Sequence, residues 1–175
     1  MANFKNTKVY PIFILTVVVL VSVAVLMFIN SLTKPVVAEH KREEINALLQ
    51  NIYSNMDDYE YTDEIYKVLE GEEIIGYAFM AKGKGYGGEI TIMVGLDKDL
   101  QIKDVTIMSH TETPGLGSRV TENSFTSQFE GLTAEDIALA KNDGKIDAVS
   151  GATISSEAVV SAVREEMKEK IKSIK

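Results

Sequence analysis

The amino-acid sequence predicts an α+β protein, with one N-terminal transmembrane helix followed by a small domain in which helices pack on an antiparallel sheet. An apolar run without any charge occupies residues 9–29. Four short apolar segments, separated by turn residues, follow between residues 65 and 108. The C-terminal residues repeat apolar side chains every four positions, as a packed helix does. We therefore expect a short segment 1–8, a transmembrane helix 9–29, a helical connector 30–63 and a folded domain 64–175.

The apolar run is long enough to span a bilayer. Its 21 residues, Val9 to Ile29, form a helix of roughly 32 Å at 1.5 Å rise per residue, which matches a bilayer core. A cleaved signal peptide is the alternative, and Val36-Val37-Ala38 weakly resembles a cleavage site. Signal peptides usually have an apolar core of only about 7–15 residues, so we favour an uncleaved anchor.

Charge and composition exclude several classes of protein and site. From residue 31 onward, 16 Lys and Arg (18 in the chain, less Lys5 and Lys8) stand against 26 Asp and Glu. This net charge of −10 argues against binding to nucleic acid or to anionic lipid. The chain has no cysteine and only two histidines, which excludes disulfides, thiolate chemistry and Cys-ligated iron–sulfur clusters and indicates no metal site.

Basic residues flank the apolar run on both sides. Lys5 and Lys8 precede it, whereas Lys34, Lys41 and Arg42 follow it. The positive-inside rule therefore does not assign an orientation.

The remaining elements follow from periodicity and turn residues. Pro35 predicts a break, and Val36–Asn51 has one apolar face and predicts a connecting helix. Met56–Asp63 is polar and predicts a turn. The predicted strands are Ile65–Leu69, Ile74–Ala81, Ile90–Val94 and Ile102–Met108. The apolar stripe of the last helix consists of Val159, Ala162, Val163, Met167, Ile171 and Ile174, which we expect to pack on the sheet.

A candidate site precedes that last helix, in the segment Asp147-Ala-Val-Ser150-Gly151-Ala152-Thr153. A serine among Ser155 and Ser156 can cap the helix, whose free amides and positive dipole end suit a phosphate. Gly151 permits close approach of the backbone, and Thr153 presents a hydroxyl. The residues alone are also compatible with an ordinary turn before a helix.

A second candidate site is the loop His110-Thr-Glu112-Thr113-Pro114-Gly115-Leu116-Gly117. Pro114 restricts φ, and glycines at 115 and 117 permit positive φ, so the loop can hold a tight shape. Leu116 can then cover a flat ring. A rigid surface turn is the alternative. Likewise we expect His110 to be a partly buried loop histidine, with a proton carrier as the alternative, and Glu112 to be either a solvated charge or a hydrogen-bond acceptor of the site.

These two segments resemble the RnfG and NqrC family of FMN-binding domains, a resemblance that extends over roughly Ile65 to Met167. It implies that a flavin transferase, using Mg²⁺, moves FMN from FAD onto the Thr153 hydroxyl as a phosphodiester, with Asp147 at the acidic position of the motif. It also implies that the second loop lies beside the flavin. The implied FMN-binding residues are Glu112, Thr113, Pro114, Gly115, Leu116, Gly117, Ser150, Gly151, Ala152 and Thr153.

The segment Gly83-Lys-Gly85-Tyr86-Gly87-Gly88 matches a dinucleotide-binding fingerprint only on paper. That fingerprint must follow a strand and open a helix, whereas here a strand is predicted to follow at Ile90. A flexible hairpin or bulge is expected instead. The family resemblance implies a position near the flavin for Tyr86.

The resemblance implies an electron-transfer subunit, with no catalytic residues of its own, of an Rnf-type ion-translocating (Na⁺ or H⁺) ferredoxin:NAD⁺ oxidoreductase complex. Its partners would be the other subunits of that complex and the flavin transferase. The FMN domain would lie on the extracytoplasmic side of the cytoplasmic membrane. Alternatives are an NqrC-like subunit, a stand-alone membrane-anchored extracytoplasmic flavoprotein, and an anchored binding or assembly module without flavin.

Overall fold

A computed structural model describes residues 10–174, which divide into two compact units that meet in sequence between Ala47 and Leu48. The first helix, α1, spans Tyr10–Ile52. Its segment Pro11–Asn30 has a mean hydropathy of 3.2, has no buried residue, and is long and apolar enough to cross a membrane. The apolar helix is therefore confirmed, although Val9 and the predicted segment 1–8 lie outside the described residues.

The predicted helix break at Pro35 is wrong, because α1 continues through that residue as far as Ile52. A proline in a helix interior removes one backbone hydrogen bond and can bend the helix without ending it. The bonds of the turns on either side are sufficient here to keep the chain helical. The predicted connecting helix Val36–Asn51 is thus the C-terminal part of α1.

The domain is built on a five-stranded antiparallel sheet in which each strand pairs with the next one along the chain. The strands are β1 Asp58–Thr62, β2 Ile65–Glu70, β3 Glu73–Lys84, β4 Glu89–Leu96 and β5 Ile102–His110. The antiparallel sheet is confirmed, and each of the four predicted strands falls within one of the observed strands β2–β5.

The prediction of a turn over Met56–Asp63 is wrong, since β1 occupies most of that segment. As an edge strand, β1 is largely exposed and lacks the apolar alternation that sequence analysis detects. It is held by aromatic contacts across the strand pair: the rings of Tyr59 and Tyr61 lie 5.6 and 4.6 Å from that of Tyr66 on β2. Aromatic contacts between neighbouring strands stabilise the pairing of those strands.

The last helix, α3 (Thr153–Ile174), packs on β3 and β4 over the main hydrophobic core. Its predicted stripe is confirmed as far as Ile171: Val159, Ala162, Val163 and Met167 are buried and Ile171 packs against the core, whereas Ile174 does not belong to the core. The short helix α2 (Asn123–Thr126) and the loops between β5 and α3 contribute further apolar side chains. They are Val120, Phe125, Phe129, Leu132, Ile137, Leu139 and Ile146.

Tyr53, which follows α1, contacts the two central strands β3 and β4. The hydroxyl of Tyr53 lies 2.7 Å from the carbonyl oxygens of both Tyr77 and Leu96. A Cβ at Gly76 would come within 2.5 Å of the Tyr53 ring, and one at Gly95 within 3.1 Å of its hydroxyl. The two glycines therefore leave a slot into which the tyrosine fits.

Candidate functional site

Residues from three separate segments of the domain line a cavity of about 310 Å³. The segments are the loop of the β3–β4 hairpin, the loop after β5 and the start of α3. Ten residues form the wall: Tyr86, Glu112, Thr113, Leu116, Gly117, Gly151, Ala152, Thr153, Ile154 and Ser155. The two candidate segments, which lie some 40 residues apart in sequence, are thus neighbours in the fold. The glycine-rich hairpin lines the same cavity.

The start of α3 exposes free backbone amides and one free hydroxyl. The first intrahelical bond runs from the N–H of Ser156 to the carbonyl of Ala152, at 2.9 Å. The amides of residues 153–155 have no backbone partner among the described residues, as is usual in a first helical turn. Thr153 is exposed, and its hydroxyl forms no hydrogen bond within the described part of the chain. A negatively charged group would be stabilised at this position.

The predicted serine cap is wrong, because α3 begins at Thr153 and both serines lie inside its first turn. Ser156 is buried, and its hydroxyl accepts a hydrogen bond from the N–H of Val149 at 3.0 Å while donating one to Ala152. The positive φ of Gly151, +79°, turns the chain before the helix. Ser156 therefore connects the preceding turn to the helix, whereas the hydroxyl of Ser155 donates to Glu112.

The loop after β5 is a tight turn, as its sequence predicts. The amides of Leu116 and Ser118 both donate to the carbonyl of Thr113, at 3.2 and 3.1 Å, and Gly115 adopts a φ of +73°. Gly117 does not adopt the positive φ that a glycine permits. That glycine is required for space instead, since a Cβ there would lie 2.5 Å from Oε2 of Glu112.

Glu112 is buried at the back of the cavity, with only 4% of its surface exposed. Its Oε1 accepts a hydrogen bond from the N–H of Gly87 at 2.9 Å, and its Oε2 accepts one from the Ser155 hydroxyl at 2.5 Å. Its own N–H donates to Nδ1 of His110, which is half-buried. Of the two interpretations of Glu112, the structure supports the hydrogen-bond acceptor. In the described part of the chain it forms no ion pair with a basic side chain.

The glycine-rich segment is a β-hairpin, as predicted, and it packs directly against Glu112. The N–H of Gly85 donates to the carbonyl of Gly88 at 2.8 Å and closes the loop. A Cβ at Gly85 would lie 2.2 Å from Oε1 of Glu112, and one at Gly87 would lie 2.1 Å from the carbonyl oxygen of Thr111. Only glycines permit this approach of the hairpin to the loop after β5.

The mouth of the cavity is apolar. Between residues 48 and 174 the exposed large hydrophobic side chains are Tyr61, Tyr86, Leu116 and Ile154. The last three of these line the cavity, and each is at least 47% exposed. Clustered exposure of this kind is typical of a surface that a ligand or partner covers.

Four of the predicted site residues do not line the cavity: Asp147, Ser150, Pro114 and Gly115 lie beside it, outside its wall. Ile154 was not predicted as a site residue, and Ser155 was predicted only as a possible helix cap. Ile154 could have been recognised from the sequence, because it is a large apolar residue outside the apolar stripe of the last helix.

Residues 85–168, which include the whole wall of the cavity, match the family model described as "FMN-binding domain". The chain is also 32% identical, over 157 residues, to the RnfG subunit of the proton-translocating ferredoxin:NAD(+) oxidoreductase complex of Clostridium ljungdahlii. That alignment covers 86% of this chain and 85% of the relative. The chain belongs to the RnfG family.

Other comparisons agree with this membership. The corresponding RnfG subunit of the ion-translocating oxidoreductase complex of Stutzerimonas stutzeri is 32% identical to this family member over 165 residues, covering 82% of this chain and 72% of the relative. The crystal structure of Shewanella oneidensis NqrC superimposes with a TM-score of 0.50 at 20% sequence identity, covering 69% of this chain and 73% of that one. This second likeness shows a shared fold.

The cavity of this RnfG family member fits FMN chemically. Its volume lies at the lower end of the range for ligand pockets, and its apolar mouth suits the flat faces of an isoalloxazine ring. The free amides at the start of α3 suit the phosphate of FMN. Glu112 retains unused acceptor positions on a buried carboxylate, which suit a hydroxyl or ring N–H donor.

Proposed function

We propose that this chain is the membrane-anchored electron-transfer subunit of an ion-translocating ferredoxin:NAD⁺ oxidoreductase complex, and that it carries FMN covalently linked to Thr153. One observation carries the proposal. The threonine with a free, exposed hydroxyl lies at the helix start that forms one wall of an apolar-mouthed cavity, within a segment that matches an FMN-binding domain.

The residues around Thr153 suit a phosphodiester. Formation of this ester joins the threonine oxygen to the phosphorus of FMN, and AMP leaves from the FAD donor in the transferase reaction. The phosphate keeps a negative charge, which the amides of residues 153–155 stabilise. Ser150 is exposed next to the site and Asp147 is at the surface, so a transferase can contact them without unfolding the domain.

The remaining residues would bind and orient the cofactor. Leu116 and Ile154 flank the start of α3 and would cover the ring against water, and Tyr86 would cover it from the hairpin. FMN held by these residues would supply the electron-transfer chemistry of the subunit. Covalent attachment prevents loss of FMN from a domain on the extracytoplasmic side, where FMN is not readily replaced.

The covalent link is tested by intact mass and peptide mapping of the chain purified from a host with an active flavin transferase. The tryptic peptide Ile146–Arg164 is expected to gain the mass of one FMN less one water. Thr153→Val keeps the size of the side chain and is expected to abolish the gain, whereas Thr153→Ser retains a hydroxyl and is expected to keep part of it. Modification that persists in Thr153→Val would refute the assignment of this residue.

The orientation can be tested directly because the chain has no cysteine of its own. Ser124→Cys places a single thiol on an exposed part of the domain. We expect a membrane-impermeant maleimide to label it in intact cells that lack an outer membrane. Labelling only after cell lysis would place the domain in the cytoplasm. Co-purification of other membrane subunits with the wild-type chain tests its membership in a complex.

A further inference from the structure

Four residues surround the carboxylate of Glu112, namely Gly85, Gly87, Gly117 and Ser155, and we call this arrangement the carboxylate clasp. Gly85 and Gly117 leave room for its two oxygens, with distances of 2.2 and 2.5 Å from an added Cβ to Oε1 and Oε2. Gly87 and Ser155 donate one hydrogen bond to each oxygen. The glycine-rich hairpin thus has a structural role, because its glycines leave room for one buried carboxylate and donate to it.

The clasp has an unusual charge balance. Burying a carboxylate is costly unless it is paired with a cation or bound by several donors. Glu112 is 4% exposed, yet within the described residues no lysine, arginine or histidine nitrogen forms an ion pair with it. Among residues 10–174 it accepts hydrogen bonds from two neutral donors, although a carboxylate has about four acceptor positions. No cationic side chain in the described part of the chain therefore balances its negative charge at the wall of the cavity.

We propose that the clasp sets the reduction potential of the flavin, with the Glu112 carboxylate lowering the potential and the Ser155 hydroxyl moderating that effect. This inference rests on the proposed function, because it requires FMN in the cavity. Charge close to the flavin ring is one of the means by which proteins tune its electronics.

The direction in which Glu112 shifts the reduction potential follows from the charge of the flavin before and after reduction. Reduction by two electrons from a neighbouring redox centre, with uptake of one proton from solvent, leaves the ring with one negative charge more than it has when oxidised. A negative charge fixed nearby opposes that change, and the charge of a buried carboxylate is screened less by water than that of an exposed one. Glu112 thus favours the oxidised ring, which makes the bound flavin a stronger electron donor. A hydroxyl that donates to the carboxylate withdraws part of its charge, so Ser155 acts in the opposite direction.

The test is a spectroelectrochemical titration of the full-length flavinylated protein in detergent at mildly alkaline pH. Glu112→Gln removes the charge and keeps the shape, since its amide oxygen can accept from Gly87 and its NH₂ can donate to Ser155. We expect a positive shift that corresponds to at least about a tenfold change in the reduction equilibrium, about 30 mV for a two-electron couple. Glu130→Gln makes the same change of charge at an exposed site and is expected to leave the potential unchanged.

Ser155→Ala is the second arm. It keeps the charge of Glu112 and removes one of its two donors, so we expect a negative shift. A clasp that only shapes the cavity would move both potentials in the same direction or leave them at the wild-type value, and either result would overturn the proposal. If Glu112→Gln takes up no flavin, the direction of the potential shift in Ser155→Ala tests the proposal: a negative shift supports it, and a positive shift or no shift contradicts it. If neither variant takes up flavin, the clasp serves assembly of the site and the proposal is wrong.

The outcomes separate this inference from the proposed function. A wild-type chain that takes up no flavin contradicts the proposed function. A flavinylated chain whose potential does not respond to Glu112→Gln contradicts only the role of the clasp.

Discussion

The Ser155 hydroxyl donates a hydrogen bond to Oε2 of Glu112 at 2.5 Å, between residues that lie 43 positions apart in sequence. Both residues are buried, at 2% and 4% exposure. This bond fastens the start of α3 to the loop after β5, and the bond from Gly87 fastens the same carboxylate to the β3–β4 hairpin. The three segments that line the cavity are therefore held together at one side chain.

Replacing that side chain by alanine is expected to destabilise the domain. Glu112→Ala leaves the buried hydroxyl of Ser155 without its acceptor and removes the acceptor of the Gly87 amide, which costs about 1–3 kcal/mol in the free energy of unfolding. Urea denaturation of the full-length chain in detergent, followed by circular dichroism, measures the loss. Glu130→Ala, at an exposed position, serves as the control. Equal stability of the two variants would contradict the role that we assign to Glu112.

The hairpin glycines are expected to matter for flavin uptake more than for folding in general. In Gly87→Ala the new Cβ meets the carbonyl oxygen of Thr111 at 2.1 Å, so the hairpin must move away and lose its bond to Glu112. We expect the yield of covalent flavin, measured by in-gel fluorescence per amount of protein, to fall several-fold.

Gly71→Ala is the matched control for that variant. Gly71 also lies in a hairpin and has a φ of +62°, but nothing lies within 4 Å of an added Cβ. The substitution costs about 1–2 kcal/mol of backbone strain and is expected to leave flavin uptake unchanged. A comparable loss of flavin in both variants would indicate a general effect of instability.

Tyr53 is expected to make stability depend on pH in the alkaline range. Burial raises the pKa of its hydroxyl above the ordinary value of 10.0. The unfolded chain therefore loses this proton first, and the stabilisation by Tyr53 is complete below pH 10 and declines as the pH rises towards the folded-state pKa. Tyr53→Phe also removes the bonds to Tyr77 and Leu96, which costs about 0.5–1.5 kcal/mol at neutral pH.

Urea denaturation at a series of alkaline pH values tests this. The difference in unfolding free energy between wild type and Tyr53→Phe is expected to shrink above pH 10, because only the wild-type chain loses stability through this group. Two curves that remain parallel up to the alkaline limit of folding would show that ionisation of Tyr53 plays no part.

The two compact units predict how a shortened chain behaves. A fragment of residues 48–175 lacks the apolar segment Pro11–Asn30 but keeps the sheet, α3 and every residue of the cavity wall. We expect this fragment in the supernatant after ultracentrifugation, and the full-length chain in the membrane pellet even after a wash with alkaline carbonate. Release of the full-length chain by carbonate would argue against a membrane-spanning anchor.

Local chemistry explains which features could be predicted. The apolar run, the strands β2–β5 and the stripe of α3 each depend on periodicity within a single segment. The edge strand β1 could not be found in this way, because contacts with Tyr66 on the next strand stabilise it. The helical path through Pro35 was also missed, since a proline weakens a helix locally while the neighbouring turns decide whether it continues.

The tight turn and the helix start of the site could be predicted from the residues within them, and the class of the protein came from the resemblance of these two segments to the RnfG and NqrC family. The folded domain was needed to show that Glu112 is buried and accepts from Gly87 and Ser155, and that Ile154 lines the same cavity. Burial and hydrogen bonding of this kind arise when segments distant in the chain pack against one another. The sequence of a single segment therefore does not predict that the Glu112 oxygens accept from Gly87 and Ser155.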